Sequence, residues 1–292
     1  MTPNPADEAR HAPPAGAGDD RWSDAWQLDA WTASGIGLTV RLELFPVRQH
    51  AWYWTYLVLP DLPGPVVVRD HDVPAAAFGA RGARRRDSGR SCGARRPSST
   101  GRTASRRSRC ASTTPTTRSR ARPASACPSG SISSGRSPRR RTRTARRGPA
   151  AGYVLPGVVH GDVLLGQSRF ELDAPGVYQR TWGSDPPVVG AWSWRGGGGD
   201  EFVFVEAGAQ RPVDGFVWRG GASSEAITDA RAEMHGGGGR VVVDASAELS
   251  LDVIGAAPVP LDGGLAVQRA LCRATDVEGH ATAGWWARVE AR

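Results

Sequence analysis

The sequence predicts an all-β protein of antiparallel strands whose centre is interrupted by a disordered segment rich in Arg, Ser and Thr. Three observations point to this fold class. Strand-like runs recur at intervals of about 8 to 12 residues, turn-forming Gly and Pro residues separate them, and neither flank of the central segment shows the periodicity of an amphipathic helix. Many short strands without helical crossovers are typical of a β-sandwich or β-barrel.

The strand pattern is clearest over residues 36–44, where apolar and polar residues alternate. We expect the apolar face of this strand to be buried and the opposite face, with Arg41 and Glu43, to be exposed. The face predicted to be buried carries Ile36, Leu38, Val40, Leu42 and Leu44. A Trp- and Tyr-rich run over 51–59 and a Val-rich run over 66–70 follow, separated by a Pro/Gly turn.

Further strand-like runs fill the C-terminal half of the chain. They span residues 158–165, 169–172, 177–182, 188–194, 202–206, 215–219, 225–232, 240–244, 248–254, 267–274 and 281–289. Two glycine runs, 196–199 and 236–239, are interpreted as hairpin loops, because neither is followed by the lysine or the helix of a phosphate-binding loop. The predicted organisation is a disordered N-terminus (1–20), an N-terminal β region (21–80), the disordered central segment (81–150) and a C-terminal β region (151–292).

The central segment carries the basic charge of the whole protein. Residues 81–148 contain 21 Arg and one acid, Asp87, although the net charge of all 292 residues is only +8. With almost no apolar surface to offset a backbone entropy of roughly 1 to 2 kcal/mol per residue, the segment is predicted to be disordered. Its cysteines, Cys92, Cys110 and Cys127, have spacings that match no metal site, so we predict neither a metal nor a cofactor.

The sequence is consistent with three explanations of this segment. It could be a functional Arg-rich arm that binds nucleic acid or another polyanion, an inert linker, or the product of reading a GC-rich gene out of frame. The out-of-frame origin is favoured, because shifting the frame over residues 88–135 permits a text of balanced charge that includes EHWTHGLEAF and LDLEW. Nucleic acid is therefore not an expected partner, and a frame shift could also leave a non-functional product.

Five motifs in the flanks resemble the bacterial proteins related to AttH and to carotenoid 1,2-hydratase (hydroxyneurosporene synthase). They are WSDAW at 22–26, AWYW at 51–54, VRDHDVP at 68–74, VHGDVLLG at 159–166 and QRTWG at 179–183. The resemblance covers both flanks and implies two lipocalin-like β-barrel halves with an apolar cavity for isoprenoid chains. The frame-shifted readings resemble the part of the family that is otherwise missing. Relatives carry an Asp-His pair in the last motif, whereas here Arg180 is followed directly by Thr181.

Hydration or cyclisation of an isoprenoid requires an acid that protonates an alkene in an apolar pocket. The motifs carry five candidate catalytic residues, namely Asp70, His71, Asp72, His160 and Asp162. Alternation predicts Asp70 and Asp72 on one face of their strand and His71 on the other, whereas His160 and Asp162 project to the same side of theirs. The alternative interpretation is that these residues only tie strands together or face solvent.

Aromatic faces that stabilise a cation are the second requirement of such chemistry. The candidate ligand-binding residues are Trp52, Trp54, Trp182, Trp192 and Trp194, with Trp218 as a further aromatic side chain that could equally fill the core. We therefore predict a cytoplasmic protein that binds a hydrophobic small molecule, isoprenoid or fatty, and leave open whether it catalyses a hydratase-like or isomerase-like reaction. No run of about 18 apolar residues occurs, so no membrane span is expected.

Overall fold

The structure is a computed structural model that describes residues 9–14, 19–74, 129–131, 150–198, 201–219, 224–244 and 247–292. The described strands are β1 (Trp22–Trp31), β2 (Gly37–Phe45), β3 (His50–Val58), β4 (Val66–Pro74), β5 (Ser129–Ser131), β6 (Ala150–Leu165), β7 (Ser168–Ser184), β8 (Trp192–Gly198), β9 (Glu201–Gly208), β10 (Arg211–Arg219), β11 (Glu225–Ala226), β12 (Ala230–His235), β13 (Gly238–Val243), β14 (Ala247–Pro260), β15 (Leu265–Asp276) and β16 (Ala281–Ala291). A 3₁₀ turn, Asp262–Gly264, joins β14 to β15. No described helix is long and apolar enough to cross a membrane.

The strands form two antiparallel sheets that share one topology, and the predicted all-β fold is confirmed. The first sheet has the order β4-β3-β2-β1-β7-β6-β5, and the second has the order β11-β10-β9-β8-β16-β15-β14-β13-β12. In each half, strands that are consecutive in sequence pair as a meander, and the first strand then pairs with the last, β1 with β7 and β8 with β16. The chain is therefore built from two similar curled halves.

Three apolar clusters form the core. One lies inside the N-terminal half and includes Leu38, Leu57, Leu172 and Ala174. A second lies inside the C-terminal half and includes Trp194, Val241, Leu251 and Trp286. The third fills the space between the two sheets and includes Trp31, Tyr56, Phe204, Leu271 and Trp285. Both faces of each sheet are thus covered over part of their area.

The sheets come closest where β1 ends and β2 begins. Trp285 Nε1 donates a hydrogen bond to the Ala30 carbonyl (3.0 Å), and Trp31 Nε1 donates to the Gly197 carbonyl (2.7 Å). A Cβ atom on Gly37 would come within 2.8 Å of the Trp285 ring, so only glycine permits this approach. Trp31 and Gly197 also border a small cavity of about 160 Å³ at this end, whereas the larger space between the sheets lies towards the start of β1 and the end of β2.

The strand predicted over residues 36–44 is confirmed, but the burial predicted for its two faces is only partly correct. On the apolar face Leu38 and Leu44 are buried, whereas Ile36, Val40 and Leu42 are half-buried. On the polar face Thr39 is fully buried, and the exposure predicted for that face is wrong. The side chains of Arg41 and Glu43 are only 21% and 15% exposed, because the second sheet lies over them. Alternation identifies the two faces of a strand, but it does not show whether a second layer covers the polar one.

The glycine run 196–199 also departs from its prediction as a hairpin loop. Residues 196–198 are the last part of β8. A Cβ atom on Gly196 would lie 2.3 Å from the ring of Trp194, and one on Gly284 in β16 would lie 2.5 Å from the carbonyl of Arg195. Glycine is needed here for the close approach of a ring and a neighbouring strand. In the other run, residues 236 and 237 do form the turn between β12 and β13.

Most of the segments predicted to be disordered, 1–20 and 81–150, lie outside the described residues. Within the central segment, residues 129–131 pair with β6 as the edge strand β5, and residue 150 begins β6. Near the N-terminus, the ring of His11 stacks on Trp182 with 3.9 Å between centroids. The described part of the N-terminus is therefore packed against β7.

Candidate ligand-binding site

A cavity of about 460 Å³ separates the two sheets at the end of β1 and β2 that is remote from Gly37. Strands β1, β2, β3 and β7 form one wall, and strands β8, β9, β15 and β16 form the other. The connections β2–β3, β7–β8 and β14–β15 surround the rim. This volume lies within the range of about 300 to 1,000 Å³ that is typical of small-molecule sites.

A row of aromatic and polar side chains crosses the wall of the first sheet. The register places Trp54 opposite Arg41, Arg41 opposite Gln27, and Gln27 opposite Gln179. Residues directly opposite one another point to the same face of a sheet, so all four line the cavity. Arg41 Nη1 donates to Gln27 Oε1 (3.0 Å), and its guanidinium lies 5.8 Å from the centre of the Trp54 ring.

A matching row crosses the wall of the second sheet. Arg269 lies opposite Ala287, Ala287 opposite Ser193, and Ser193 opposite Glu206. Arg195 is two residues after Ser193 in β8 and therefore points to the same side. The small side chains of Ala287 and Ser193 stand between the larger charged ones and leave room for the cavity.

A buried ionic cluster joins the two rows at the floor of the cavity. Asp29 is fully buried in β1 and accepts hydrogen bonds from Thr39 Oγ1 (2.8 Å) and Arg195 Nη1 (3.0 Å). It also forms an ion pair with Arg269. Arg195 Nη2 donates to Glu206 Oε1 (3.0 Å). The cluster therefore connects the first sheet to the second through charges that are shielded from water.

The charges of this cluster are fixed by its geometry. Burial alone would raise the pKa of Asp29, but the guanidinium groups of Arg269 and Arg195 outweigh burial and the pKa of this carboxyl is lowered. Burial lowers the pKa of Arg269, and the charge of Asp29 offsets part of that effect. Arginine nevertheless stays protonated, because its ordinary pKa lies far above neutral pH. Asp29 is thus a carboxylate near neutral pH and cannot serve as a proton donor there.

Three buried polar atoms of the cavity walls have no hydrogen-bond partner. They are Trp54 Nε1, Arg195 Nε and Gln179 Oε1. Trp54 is 9% exposed, Arg195 is 6% exposed and Gln179 is 3% exposed. Unpaired buried polar atoms are uncommon in proteins, but others lie outside the cavity, such as His71 Nε2 and Trp194 Nε1. The three atoms of the walls are therefore groups with which a bound ligand could form hydrogen bonds.

Four of the five tryptophans predicted to bind a ligand line the cavity. Trp52 and Trp54 come from β3, and Trp182 and Trp192 stand where β7 ends and β8 begins. Trp194 is fully buried in the core of the C-terminal half instead. The register of β8 turns Ser193 towards the cavity and turns both Trp192 and Trp194 to the other face, so Trp192 borders the cavity only at the start of β8 and stacks on Trp286. The further candidate Trp218 packs in the core between the sheets.

The candidate catalytic residues of β4 do not line this cavity. Asp70 and Asp72 are exposed, and His71 lies on the other face of the strand, as alternation predicts. The His71 ring stacks on Trp52 with 5.0 Å between centroids. Burial, reinforced by the charge of Arg69, lowers the pKa of His71. His71 therefore packs against a wall residue as a neutral ring at pH 7.

His160 and Asp162 project to the same side of β6, but they do not share a partner. His160 Nδ1 lies 2.9 Å from Asp173 Oδ1, and Asp162 accepts two hydrogen bonds of 2.8 Å from Arg169. Both border a second cavity of about 160 Å³. Its apolar lining consists of Leu28, Leu38, Val40, Leu42, Val159, Val163 and Leu172, on the face of the first sheet opposite the larger cavity. The five candidates are thus distributed over two places.

Among the described residues, potential metal ligands cluster only in the turn between β15 and β16, as Asp276, Glu278 and His280. Asp276 Oδ1 accepts hydrogen bonds from the backbone N–H groups of Glu278 (2.9 Å) and His280 (2.8 Å). Its other oxygen lies 3.0 Å from His280 Nδ1, and this hydrogen bond raises the pKa of His280. The group is therefore explained as a hydrogen-bonded turn, and none of its members lines the cavity.

Replacing Asp276 by asparagine is expected to lower the pKa of His280 towards its ordinary value near 6.5. Because the folded pKa is raised, the His280–Asp276 interaction is present below the unfolded pKa and is lost as the pH rises through the folded value. An NMR titration of the His280 ring measures the shift, and Asp61→Asn, in an exposed turn, is the control. An unchanged pKa for His280 in Asp276→Asn would contradict this assignment.

The comparisons with known proteins agree with this architecture. A family model described as a domain of unknown function, DUF7064, matches residues 4–290. The chain belongs to the DUF7064 family. No curated protein matches this DUF7064 chain by sequence.

Two solved structures resemble the DUF7064 chain. A Nitrosomonas europaea protein provisionally named AttH matches with a TM-score of 0.57 and 11% identity, over 98% of this chain and 95% of that one. Kievitone hydratase from Nectria haematococca matches with a TM-score of 0.49 and 7% identity, over 91% and 88% of the two chains. The first match shows that the fold is AttH-like, as the sequence motifs predict.

Several wall residues are not among those that the sequence predicts. Gln179 and Thr181 belong to the QRTWG motif. They alternate with Tyr178, Arg180 and Trp182 along the strand, and this alternation could have indicated that the two residues share a face. The sequence around Glu206 and the other residues of the buried ionic cluster has no local pattern that would predict their place in the wall. Their partners lie far away in sequence, so only the pairing of the two sheets brings them together.

Proposed function

We propose that this protein binds a hydrophobic small molecule, of isoprenoid or fatty type, in the cavity between the sheets. The cavity itself carries the proposal. Its walls combine aromatic rings with apolar side chains, and these are Phe45, Trp52, Trp54, Trp182, Val188, Leu261, Leu265, Val267 and Val289. Such a lining removes apolar surface of a ligand from water, which is worth about 25 cal/mol per Å².

Farnesol, a C15 isoprenoid alcohol, is expected to bind the full-length protein saturably and to change its tryptophan fluorescence, because tryptophan rings line the cavity. Affinity should change little between about 50 and 200 mM salt, whereas binding to nucleic acid would weaken steeply over that range. The measurement is a fluorescence titration, with single-stranded DNA as the comparison ligand. The proposal is wrong if neither farnesol nor the hydrocarbon β-farnesene binds saturably.

A second candidate function is hydration of a carbon–carbon double bond in the bound molecule. It is supported by the carboxyl group of Glu206, which lines the same cavity as the tryptophan rings. In this reaction the carboxyl proton would pass to one alkene carbon, water would add to the cationic carbon, and the proton lost by that water would return to the carboxylate. Glu206 is paired with Arg195 and lies 3.5 Å from Arg211, an arrangement that suits charge pairing better than proton donation. We therefore place hydration second to binding.

The test of hydration is incorporation of ¹⁸O from labelled water into β-farnesene, followed by mass spectrometry. A catalytic Glu206 predicts that Glu206→Gln abolishes incorporation while leaving farnesol binding in place. Asp70→Asn and Asp162→Asn are the informative comparisons, because both carboxylates lie outside the cavity. If either of these variants loses incorporation at an unchanged melting temperature, catalysis belongs to the residues that the motifs predicted.

We also propose that residues 88–135 are translated from a shifted reading frame. The proposal is supported by the charge contrast, since 81–148 carries a net charge of +20 within a chain of net charge +8. The described sheet has two edge strands, β4, which precedes this segment, and the three-residue strand β5, which lies within it. Resequencing the gene across codons 80 to 150 should reveal compensating insertions or deletions. A confirmed nucleotide sequence that encodes the chain as printed, in the frame of both flanks, would contradict the proposal.

A further inference from the structure

We infer that the bound molecule carries an uncharged hydroxyl group, held where β7 and β8 meet, by Gln179 together with Thr181 and Ser193. The inference rests on the proposed function and narrows its ligand class from hydrophobic molecules to long-chain alcohols. Two features of the cavity carry it: the charged side chains are paired with one another, and three of the neutral polar side chains, Gln179, Thr181 and Ser193, are not hydrogen-bonded, unlike Gln27 and Ser23.

Each arginine that lines the cavity has a carboxylate within ion-pair distance. The pairs are Arg21–Asp19, Arg41–Glu43, Arg48–Asp262, Arg195–Glu206, Arg211–Asp185, Arg269–Asp29 and Arg288–Glu290. A ligand carboxylate would have to compete with these acids for the guanidinium groups. A ligand ammonium would be repelled by the positive charges of Arg41 and Arg195, and the acids that line the cavity are already paired with arginine. Burying either ion without a partner is costly, so the cavity favours an uncharged ligand.

Neutral polar side chains line the cavity on either side of the β7–β8 connection, which forms one corner of it. Gln179 and Thr181 are two residues apart in β7 and so share a face, and Ser193 follows in the next strand, β8. None of the three side chains hydrogen-bonds to another described residue, and Gln179 Oε1 is buried without a partner. Arg195 Nε, also without a partner, belongs to the same strand as Ser193. The corner therefore offers both donors and acceptors that the protein leaves unused.

A hydroxyl group suits such a corner because it donates one hydrogen bond and accepts others. Rotation of the Gln179 amide by half a turn presents either its oxygen or its NH₂ group, and a hydroxyl can satisfy both arrangements. A hydrocarbon satisfies neither and leaves the polar atoms unpaired. From this corner the chain of the ligand would extend towards the apolar side of the cavity, which Trp54, Leu261 and Val267 line.

The test compares four C15 ligands that differ only at one end: farnesol, farnesoic acid, farnesylamine and β-farnesene. The full-length protein is expected to bind farnesol about tenfold more tightly than each of the others, since one or two net hydrogen bonds of about 1 kcal/mol separate them. Gln179→Leu is expected to reduce the preference for farnesol over β-farnesene to about twofold or less. Its melting temperature should not fall, because the side-chain oxygen that is removed has no partner in the free protein.

Gln268→Leu is the matched control, because Gln268 lies in β15 outside the cavity and its replacement should leave the preference unchanged. Ser193→Ala gives a second, smaller deletion in the same corner if Gln179→Leu fails to fold. Equal binding of farnesol and β-farnesene to the unmodified protein would overturn the inference, as would tightest binding of the acid or the amine. In those cases the proposed function would stand as long as farnesol or β-farnesene binds saturably, whereas failure of both to bind would contradict the proposed function itself.

Discussion

Replacing Asp29 by asparagine is expected to lower the free energy of unfolding by about 3 to 5 kcal/mol, the usual effect of removing one partner from a buried ion pair. Asp29 is fully buried and is the common acceptor for Arg195, Arg269 and Thr39. Asparagine has nearly the same shape as aspartate but carries no charge, so the buried guanidinium groups of Arg195 and Arg269 lose the negative charge that both of them contact. Its NH₂ group would also face hydrogen-bond donors instead of accepting from them. Equilibrium unfolding in urea measures the difference.

Glu233→Gln is the control for this prediction. Glu233 forms an exposed ion pair with Arg240 (3.3 Å), and such pairs contribute about 0 to 1 kcal/mol. If Asp29→Asn destabilises the protein no more than Glu233→Gln does, the buried ionic cluster does not hold the two sheets together.

The effect of Asp29→Asn is also expected to depend on pH. The pKa of Asp29 is lowered in the folded protein, so its contribution to stability is present above the ordinary carboxyl pKa of about 4. The contribution is lost as the pH falls through the folded pKa, because protonation then removes the charge. The stability difference between the two proteins should therefore be largest near pH 7 and shrink below about pH 4. A difference that stays constant down to pH 3 would contradict the assigned charge.

Replacing Ala287 by tryptophan is expected to weaken farnesol binding by at least about 100-fold, or about 2.7 kcal/mol. Ala287 lies between Arg269 and Ser193 in the wall of the second sheet, and a larger side chain there would occupy the space of the ligand. The melting temperature should change little, because the indole ring enters a cavity and displaces no core residue. A fluorescence-independent method, such as calorimetry, is needed because the variant adds a tryptophan.

Ala281→Trp is the control for this prediction, because Ala281 is exposed at the start of the same strand and does not line the cavity. Its farnesol affinity should equal that of the unmodified protein. If Ala287→Trp binds farnesol normally, the ligand lies elsewhere.

Much of the fold could be predicted from the sequence because the strands carry local signals. The alternation of residues 36–44 and the turn residues between later runs correctly indicated antiparallel strands. Strand β1 (Trp22–Trp31) was not predicted as a strand, since buried polar residues such as Gln27 and Asp29 occupy positions where an apolar pattern would be expected. Partial burial of Arg41 was missed for a related reason, because a second sheet can cover a polar residue whose partners, here Gln27 and Glu43, lie in its own sheet.

The candidate site was less predictable because it depends on how two distant halves of the chain face each other. Trp52 and Trp54 could be found from an aromatic run in one strand. The link between Asp29 and Arg195 spans 166 residues, and no local pattern connects them. Motif residues such as Asp162 were attractive because they are polar and lie together, but strand pairing gives them nearby partners of their own.

The most direct test of the central claim is to locate a bound ligand by crystallography. A crystal of the full-length protein is grown with 12-bromododecan-1-ol, and the anomalous signal of bromine marks the end of the chain. The account predicts a bromine peak between the two sheets, on the side of the cavity lined by Trp52, Trp54 and Leu265. A peak inside the N-terminal half, against Leu38 and Leu42 in the smaller cavity, would contradict it.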